Sequence, residues 1–537
     1  MAARQMPELA ALRGDRRAFL SAAARVSGLA ALAFAFPGAA GARSAAYPFA
    51  LGVASGSPRP DGVVLWTRLL EDPFGPGLME AGPLAVRWEI AEDEAFSRIA
   101  GAGRAIALPQ LAHSVHVEAS GLRADRWYWY RFMLGDAVSP VGRTRTAPPP
   151  DALPGMLRFA FASCQNWEHG HYAAHRHIAA AAPDLVAFLG DYIYEWGPYD
   201  ALHPQDARRG PDSRTLADYR ARHAQYKSDP HLQAAHRAAP WIVTWDDHEV
   251  ANDYAADRTS RLDPAFPARR AAAYQAFYEH MPLRRAALLG NGDFSGLGRY
   301  DRPDWGRLPG CHVLEARQHR SYQACPPAGR GGSNTVGADC AERLAPGRTL
   351  LGPAQEAWLA KGLAGSEARW NILAQQTLMA QASQVPILEP EDGRFWTDGW
   401  DGYPAARERL FDDLARHRPA NPVVISGDIH AFAVADLQRD FRRSASAANP
   451  VLATEFCGTS ISSKGRPRER TERYLADNPH LRYARSDRRG FVLMEATPSR
   501  MVARLQGLHE ARRAESDIST LAAFAVQAGR AGAERIA

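Results

Sequence analysis

Leu185-Val186-Ala187-Phe188-Leu189, followed at once by Gly190-Asp191, is the stretch on which the reading of the fold turns. Five apolar residues ended by a glycine have the length and composition of a strand buried on both faces. The same arrangement recurs four times in the second part of the chain. Leu157–Ala162 runs into Ser163-Cys164, and Trp241–Trp245 runs into Asp246-Asp247-His248. Asn371–Ala374 runs into Gln375-Gln376, and Val423–Ser426 runs into Gly427-Asp428-Ile429-His430. Helical patterns separate these strands, so the class is α/β. Ligands of α/β sheets gather at the carboxyl ends of strands, and five polar clusters placed there predict one shared site.

The residue types define the chemistry. Asp191, Asp247 and Asp428 supply hard carboxylate oxygens, His430 a nitrogen, Tyr194 a phenolate and Cys164 a thiolate. Thiolate and phenolate suit a strongly Lewis-acidic or soft transition metal, whereas carboxylate-rich positions suit calcium, magnesium or manganese. The mixed set predicts at least two metals of different character. Asp246-Asp247-His248-Glu249 is the most demanding run, because four adjacent ionisable groups near a core must be paired or metal-bound.

Taken together, Phe161-Ala162-Ser163-Cys164-Gln165, Phe188-Leu189-Gly190-Asp191-Tyr192-Ile193-Tyr194-Glu195, Trp245-Asp246-Asp247-His248-Glu249 with Asn252, and Ser426-Gly427-Asp428-Ile429-His430 resemble the PhoD-type alkaline phosphatases, an offshoot of the metallophosphatases. Gly52-Val53-Ala54-Ser55-Gly56, Trp66-Thr67-Arg68, Arg317-Gln318-His319-Arg320 and Trp400-Asp401-Gly402-Tyr403 carry the resemblance across most of residues 49–530. It implies a layered α/β/β/α core, a centre of Fe3+ and Ca2+, and hydrolysis of phosphate mono- and diesters. Iron is then expected on Cys164, Asp191, Tyr194 and His430, with Asp191 bridging to calcium on Asp247 and Asp428. Asn252 and Gln375-Gln376 are further candidates on the calcium side.

The implied mechanism is in-line attack on phosphorus by a hydroxide generated at the metals. His248 would protonate the leaving oxygen or hold the phosphate. Arg317 would either fork onto phosphate oxygens or serve as a structural ion-pair partner. Two departures from the family pattern stand out. Gly56-Ser57 replaces Gly-Asp, and Glu315-Ala316-Arg317-Gln318 replaces Asp-Thr-Arg-Gln.

The rest of the chain organises around this domain. Alternation at Val86, Trp88 and Ile90 and the aromatic run Trp127–Phe132 predict an all-β sandwich of fibronectin or immunoglobulin type over residues 43–147, with Tyr128 as corner tyrosine. Pro148-Pro149-Pro150 then opens a catalytic domain spanning 148–537. Residues 1–42 read as a removable export signal: Arg16-Arg17-Ala18-Phe19-Leu20 resembles a twin-arginine core, an apolar stretch follows from Val26 to Phe36, and Ala40-Gly41-Ala42 offers a cleavage site. Export by that machinery to the periplasm or beyond is therefore expected.

Of 64 basic residues only Lys227, Lys361 and Lys464 are lysines. The signal contains five arginines and two acids, so its removal lowers the formal charge from +5 to +2. Such a charge provides no dense basic field, and no nucleic acid is expected as a specific partner. The mature chain has no apolar run of membrane-spanning length, and a monomer acting on a small phosphoester is expected. Cys325 and Cys340 flank a Pro/Gly-rich loop that a disulfide could close, Cys311 and Cys457 pair or stay free, and Cys164 is left for metal. The alternatives are a phospholipase D-type phosphodiesterase of the same family and a catalytically dead surface-binding protein.

Overall fold

The computed structural model describes residues 46–75, 81–199, 210–288, 294–298, 300–389 and 392–537. The stretch read as an export signal lies outside them. Leu157–Ala162, Leu185–Phe188 and Trp241–Val243 pair in parallel, with Phe188 opposite both Ala162 and Val243. They form the middle of a ten-stranded sheet. The sheet continues on one side, antiparallel, through Gly490–Ala496, Arg500–Leu508, Ile518–Gln527 and Arg530–Arg535. A second, six-stranded sheet has the parallel strands Pro309–Val313, Trp370–Thr377, Pro422–Gly427 and Ala453–Cys457, then Phe432–Leu437 and Leu481–Arg485.

Strand pleating explains why these runs are apolar throughout. Leu157, Phe159 and Phe161 face the core between the two sheets, together with Leu185, Ala187, Ile372, Val423 and Ile425. Their alternates Ala160, Ala162, Val186 and Phe188 face an outer core. That outer core is covered by helices Ala173–Ala180, Leu216–Lys227, Pro230–Ala238 and Phe266–His280. On the far side, Leu373, Val424, Ala433 and Ala435 of the second sheet meet Leu359, Leu363, Leu410 and Phe411 of helices Pro353–Ala364 and Pro404–His417. The layers run helix, sheet, sheet, helix. Local signals start the helices: proline opens three of them, and Thr215 with Asp218 forms a capping box on Leu216–Lys227.

The amino-terminal β region packs two sheets, but one of them is shared. Leu84–Ala91, Ile99–Ala107, Trp127–Leu134, Ala137–Val138 and Gly142–Arg145 make a separate five-stranded sheet. It buries Val86, Ile90, Tyr128, Tyr130 and Phe132 against Val53, Val63, Leu65, Val115 and Val117. The latter belong to strands Val53–Arg59, Gly62–Arg68 and Ser114–Ser120, which continue the ten-stranded sheet where Gly56 pairs with Trp241. The edge beside Trp241–Val243 is thereby paired rather than open. Tyr128 occupies the corner position, its hydroxyl accepting from the Arg123 N–H at 2.9 Å.

Cys325 and Cys340 form a disulfide, while Cys311, Cys457 and Cys164 are free and buried. Cys311 and Cys457 lie three strands apart in the six-stranded sheet and on opposite faces of it. Three strand spacings come to about 14 Å, beyond disulfide reach. Among the described residues no helix is long and apolar enough to cross a membrane.

Candidate metal centre

Parallel register brings the strand ends to one rim, and tight turns aim their side chains. Cys164, Asp191, Asp428 and His430 all have left-handed backbone, with φ between 53° and 65°. Four non-glycine residues in that sparsely allowed region, on three neighbouring loops, mark a site whose geometry is imposed by its surroundings. The Cys164 N–H donates to the Gly190 carbonyl at 3.0 Å, which sets the thiol beside Asp191. Two glycines permit the close approach. A Cβ at Gly190, whose φ is +112°, would stand 2.6 Å from Asp246 Cβ, and one at Gly427 would overlap the Ser163 hydroxyl. The second contact joins the six-stranded sheet to the ten-stranded one.

Three groups of ligand atoms result, each with members within 4.8 Å of one another: Cys164, Asp191 and His430; Asp191, Asp247 and His248; and Asp247, Asp253 and Asp398. Asp191 joins the first two and Asp247 the last two. The Tyr194 hydroxyl donates to Asp191 Oδ2 at 2.9 Å and lies 3.2 Å from His430 Nε2. His430 Nδ1 donates to the Lys464 carbonyl at 2.7 Å, so Nε2 presents its lone pair inward. Burial, with Arg489 nearby, pushes His430 down to about 3, which keeps the imidazole neutral.

The donor set fits metal ions. Asp191 Oδ1 and Asp428 Oδ2 are buried and have no hydrogen-bond partner among the described residues. Burial, then neighbouring carboxylates, pushes Asp428 well above the usual carboxylate range, and burial likewise pushes up Asp191. The Cys164 thiol and the Tyr194 phenol are also pushed well up, by burial first and by Asp191 next. A cation at this place would favour the thiolate, phenolate and carboxylate forms by supplying the opposing charge.

Buried glutamates hold the loops. Glu249 accepts the backbone N–H groups of Asp191 (3.1 Å), Tyr192 (2.6 Å) and Asp246 (2.9 Å). Glu455 does the same across the rim for Met379 and Ala380, both at 2.8 Å, and for the Ser426 hydroxyl. Glu315 accepts from the N–H groups of Arg317 and Gln318 and from the Trp245 indole, so the glutamate replacing an aspartate orients the Arg317 loop. Glu195 takes His248 Nδ1 at 2.8 Å and the Asn252 N–H at 2.7 Å. Burial alone would push His248 down, but Asp191, Asp247 and Glu195 together hold it well above its ordinary value.

Arg317 has no exposed surface. Its guanidinium reaches Asp246 and, at 2.7 Å, Asp398, with Nη2 3.5 Å from Asp247. Burial would raise the Asp247 carboxyl, but Arg317 and His248 outweigh it and hold it below the usual range. Gln375 and Gln376 lie inside strand Trp370–Thr377, at a register irregularity, and not beyond its end. Gln375 meets the Trp400 indole, and Gln376 donates to Thr244. Asn252 is held through its backbone. Asp253 has no glycine or strand-end signal beside it, and Asp398-Gly399 follows only the three-residue strand Arg394–Trp396, so sequence reasoning passes over both. Glu195 and Glu249 lie inside quoted motifs, but only the fold shows which amides they bind.

Comparison with known proteins agrees with this architecture. The model of the PhoD-like phosphatases matches residues 159–505, and that of their N-terminal domain matches residues 35–148. The chain is 43% identical to alkaline phosphatase D of Bacillus subtilis (strain 168), over 97% of this chain and 89% of that protein. A solved structure of PhoD superposes with a TM-score of 0.85 at 42% identity, covering 92% of this chain and 93% of that one. A purple acid phosphatase from yellow lupin seeds shares the fold at a TM-score of 0.53 and 11% identity, covering 89% of this chain and 73% of that one. With family models covering both its parts and a near full-length relative, the chain belongs to the PhoD-like phosphatase family.

Proposed function

We propose that the chain hydrolyses phosphoesters at this centre, with ferric iron on Cys164, Asp191, Tyr194 and His430 and calcium on Asp191, Asp247, Asp428 and Asn252. The observation that carries the reading is the pair of unpartnered carboxylate oxygens on Asp191 and Asp428, the first buried beside a thiol, a phenol and an imidazole lone pair and the second beside the same thiol and Asp247. When bound, the ions supply Lewis acidity, which activates water at neutral pH and neutralises phosphoryl oxygens. His248 is the proton donor to the leaving oxygen. Glu195 engages its Nδ1, and the surrounding carboxylates keep it protonated, so Nε2 is the nitrogen that gives the proton. Arg317 is assigned the positioning role. Its guanidinium is committed to Asp246 and Asp398, and it sets the calcium-side carboxylates without touching the phosphate.

Residues 1–42 serve in this reading as the twin-arginine address, and the mature enzyme works in the periplasm or outside the cell as a monomer. The Cys325–Cys340 disulfide suits an oxidising compartment. The test is elemental analysis of purified protein together with a panel of a phosphomonoester, a phosphodiester and a phosphatidyl lipid. Iron, calcium and hydrolysis of at least one ester are expected. Thiolate and phenolate on ferric iron should also give a visible charge-transfer band. Tyr194→Phe should shift or weaken that band, and an unaltered spectrum would remove Tyr194 from the iron.

A further inference from the structure

A cavity lies on the outer side of the six-stranded sheet, lined by residues next in the chain to groups of the centre. It holds about 50 Å³ and is open to solvent. Its walls include Leu378, Trp396, Ile429, Arg466 and Tyr474. Several wall residues are chain neighbours of groups in the centre. Ile429 stands between Asp428 and His430, Gly399 follows Asp398, and Arg466 lies two residues beyond Lys464, whose carbonyl holds His430. Ile429, Trp396 and Arg466 are each partly exposed, and Thr377, also in the wall, lies beside the Asp428 carboxyl. The one carboxylate in the wall, Asp401, is spent on Arg407 and the Ala382 N–H, both at 2.8 Å. What remains is a mainly aromatic and aliphatic surface with the Thr377 and Thr471 hydroxyls, the latter donating to Ser486, and a single guanidinium 5.4 Å from the Tyr474 ring centre.

We infer that this cavity is a subsite for an apolar alkyl or aryl group on the ester oxygen of the substrate. Small-molecule sites have this composition, a largely apolar concavity with few polar groups beside the reacting atoms. The inference rests on the proposed phosphoesterase reading, because the centre must hold the phosphoryl group for its substituent to reach Ile429. Trp396 and Tyr474 give the substituent flat faces to pack on, and Arg466 can donate to an oxygen at the junction. The protein therefore prefers phosphoesters with a short apolar substituent to those with a small polar one.

The experiment uses metal-loaded protein and two ligand series, alkyl phosphate esters from methyl to hexyl and the matching alkylphosphonates, whose carbon–phosphorus bond survives. The specificity constant for the esters, and the affinity for the phosphonates by calorimetry, should rise roughly three- to fourfold per methylene over the first carbons. Both should then level off as the chain leaves the cavity. Trp396→Ala should flatten both slopes. Ala484→Leu, which fills the cavity instead of enlarging it, should flatten them too and serves if the first variant does not fold. Flat series in the unaltered protein, or slopes that both variants leave unchanged, would overturn the subsite. Hydrolysis of the methyl ester with flat series would defeat the subsite while leaving the phosphoesterase reading intact. No hydrolysis, with chain-length-dependent phosphonate binding, would do the reverse.

Discussion

The string of acids across the centre meets the same electrostatic problem differently at its two ends. At one end Asp191 lies with Cys164, Tyr194 and His430, Asp428 stands between Cys164 and the other aspartates, and among the described residues neither carboxylate has an ion-pair partner. Both carboxyls are driven up by burial. At the other end Arg317 holds Asp246 and Asp398 and approaches Asp247, and Arg320 adds a second contact to Asp398 at 2.8 Å. There the arginine brings Asp247 below the usual carboxylate range. Asp246, although held by the same arginine, is raised to about 6, because burial and the neighbouring aspartates outweigh it. One end is compensated by Arg317 and Arg320, and the other has only His248 beside Asp191 and a donor set that fits a bound cation.

The largest expected effect breaks the uncompensated end. Asp191→Asn removes the carboxylate common to two ligand groups, and phosphoester turnover should fall about 10²–10³-fold or more, with loss of metal in elemental analysis. Retention of both metals and of turnover would dissolve the contrast. Arg317→Met attacks the self-compensated end and leaves three aspartates facing each other in a buried space. Denaturant unfolding of the metal-free protein should show a loss of about 3–5 kcal/mol. A much smaller loss would mean that water, not Arg317, neutralises that end.

Glu195→Gln tests the join between the ends, where His248 stands. Activity should fall about 10- to 100-fold, as for partners that orient a working imidazole. Losing one of the carboxylates that hold His248 protonated should also move the alkaline limb of the pH–rate profile to lower pH. A loss of activity with an unmoved profile would limit Glu195 to packing.

The smallest effect concerns stability against pH. In metal-free protein Asp191 and Asp428 are raised, Asp246 to about 6 and Glu249 to about 7, each chiefly by burial. The folded state then keeps protons that the unfolded chain has released. This contribution is present in full below the ordinary carboxylate range and is lost as pH rises through 6 and 7. Metal binding replaces those protons, so the gap in melting temperature between loaded and metal-free protein should widen by several degrees from pH 5 to 8. A gap independent of pH would mean that the carboxylates are already ionised without metal.

Legibility followed chain locality. The strand of residues 185–189 is apolar at every position because both faces are buried, and periodicity alone shows a short buried run ended by Gly190-Asp191. Trp241–Trp245 is less legible. Only Trp241–Val243 is strand, because Thr244 and Trp245 already turn towards Leu314 and Glu315 on the other sheet. The amino-terminal region shows the same limit. Alternation located its strands, but the pairing of Gly56 with Trp241 joins residues far apart in the chain.

From the sequence alone come the residue types and their places at strand ends: the thiol at Cys164, the phenol at Tyr194, the aspartates at 191, 247 and 428, and the histidines at 248 and 430. Those depend on composition and local periodicity, which are properties of short stretches. Tertiary structure alone decided the neighbours: that Arg317 is enclosed by aspartates, that Glu249 and Glu455 pin opposite loops, and that Asp253 and Asp398 join the acidic string. The physical reason is that burial and charge pairing are set by what packs around a group. A carboxylate's partner, and so its charge state, is fixed when two sheets close through contacts such as Gly427 against Ser163.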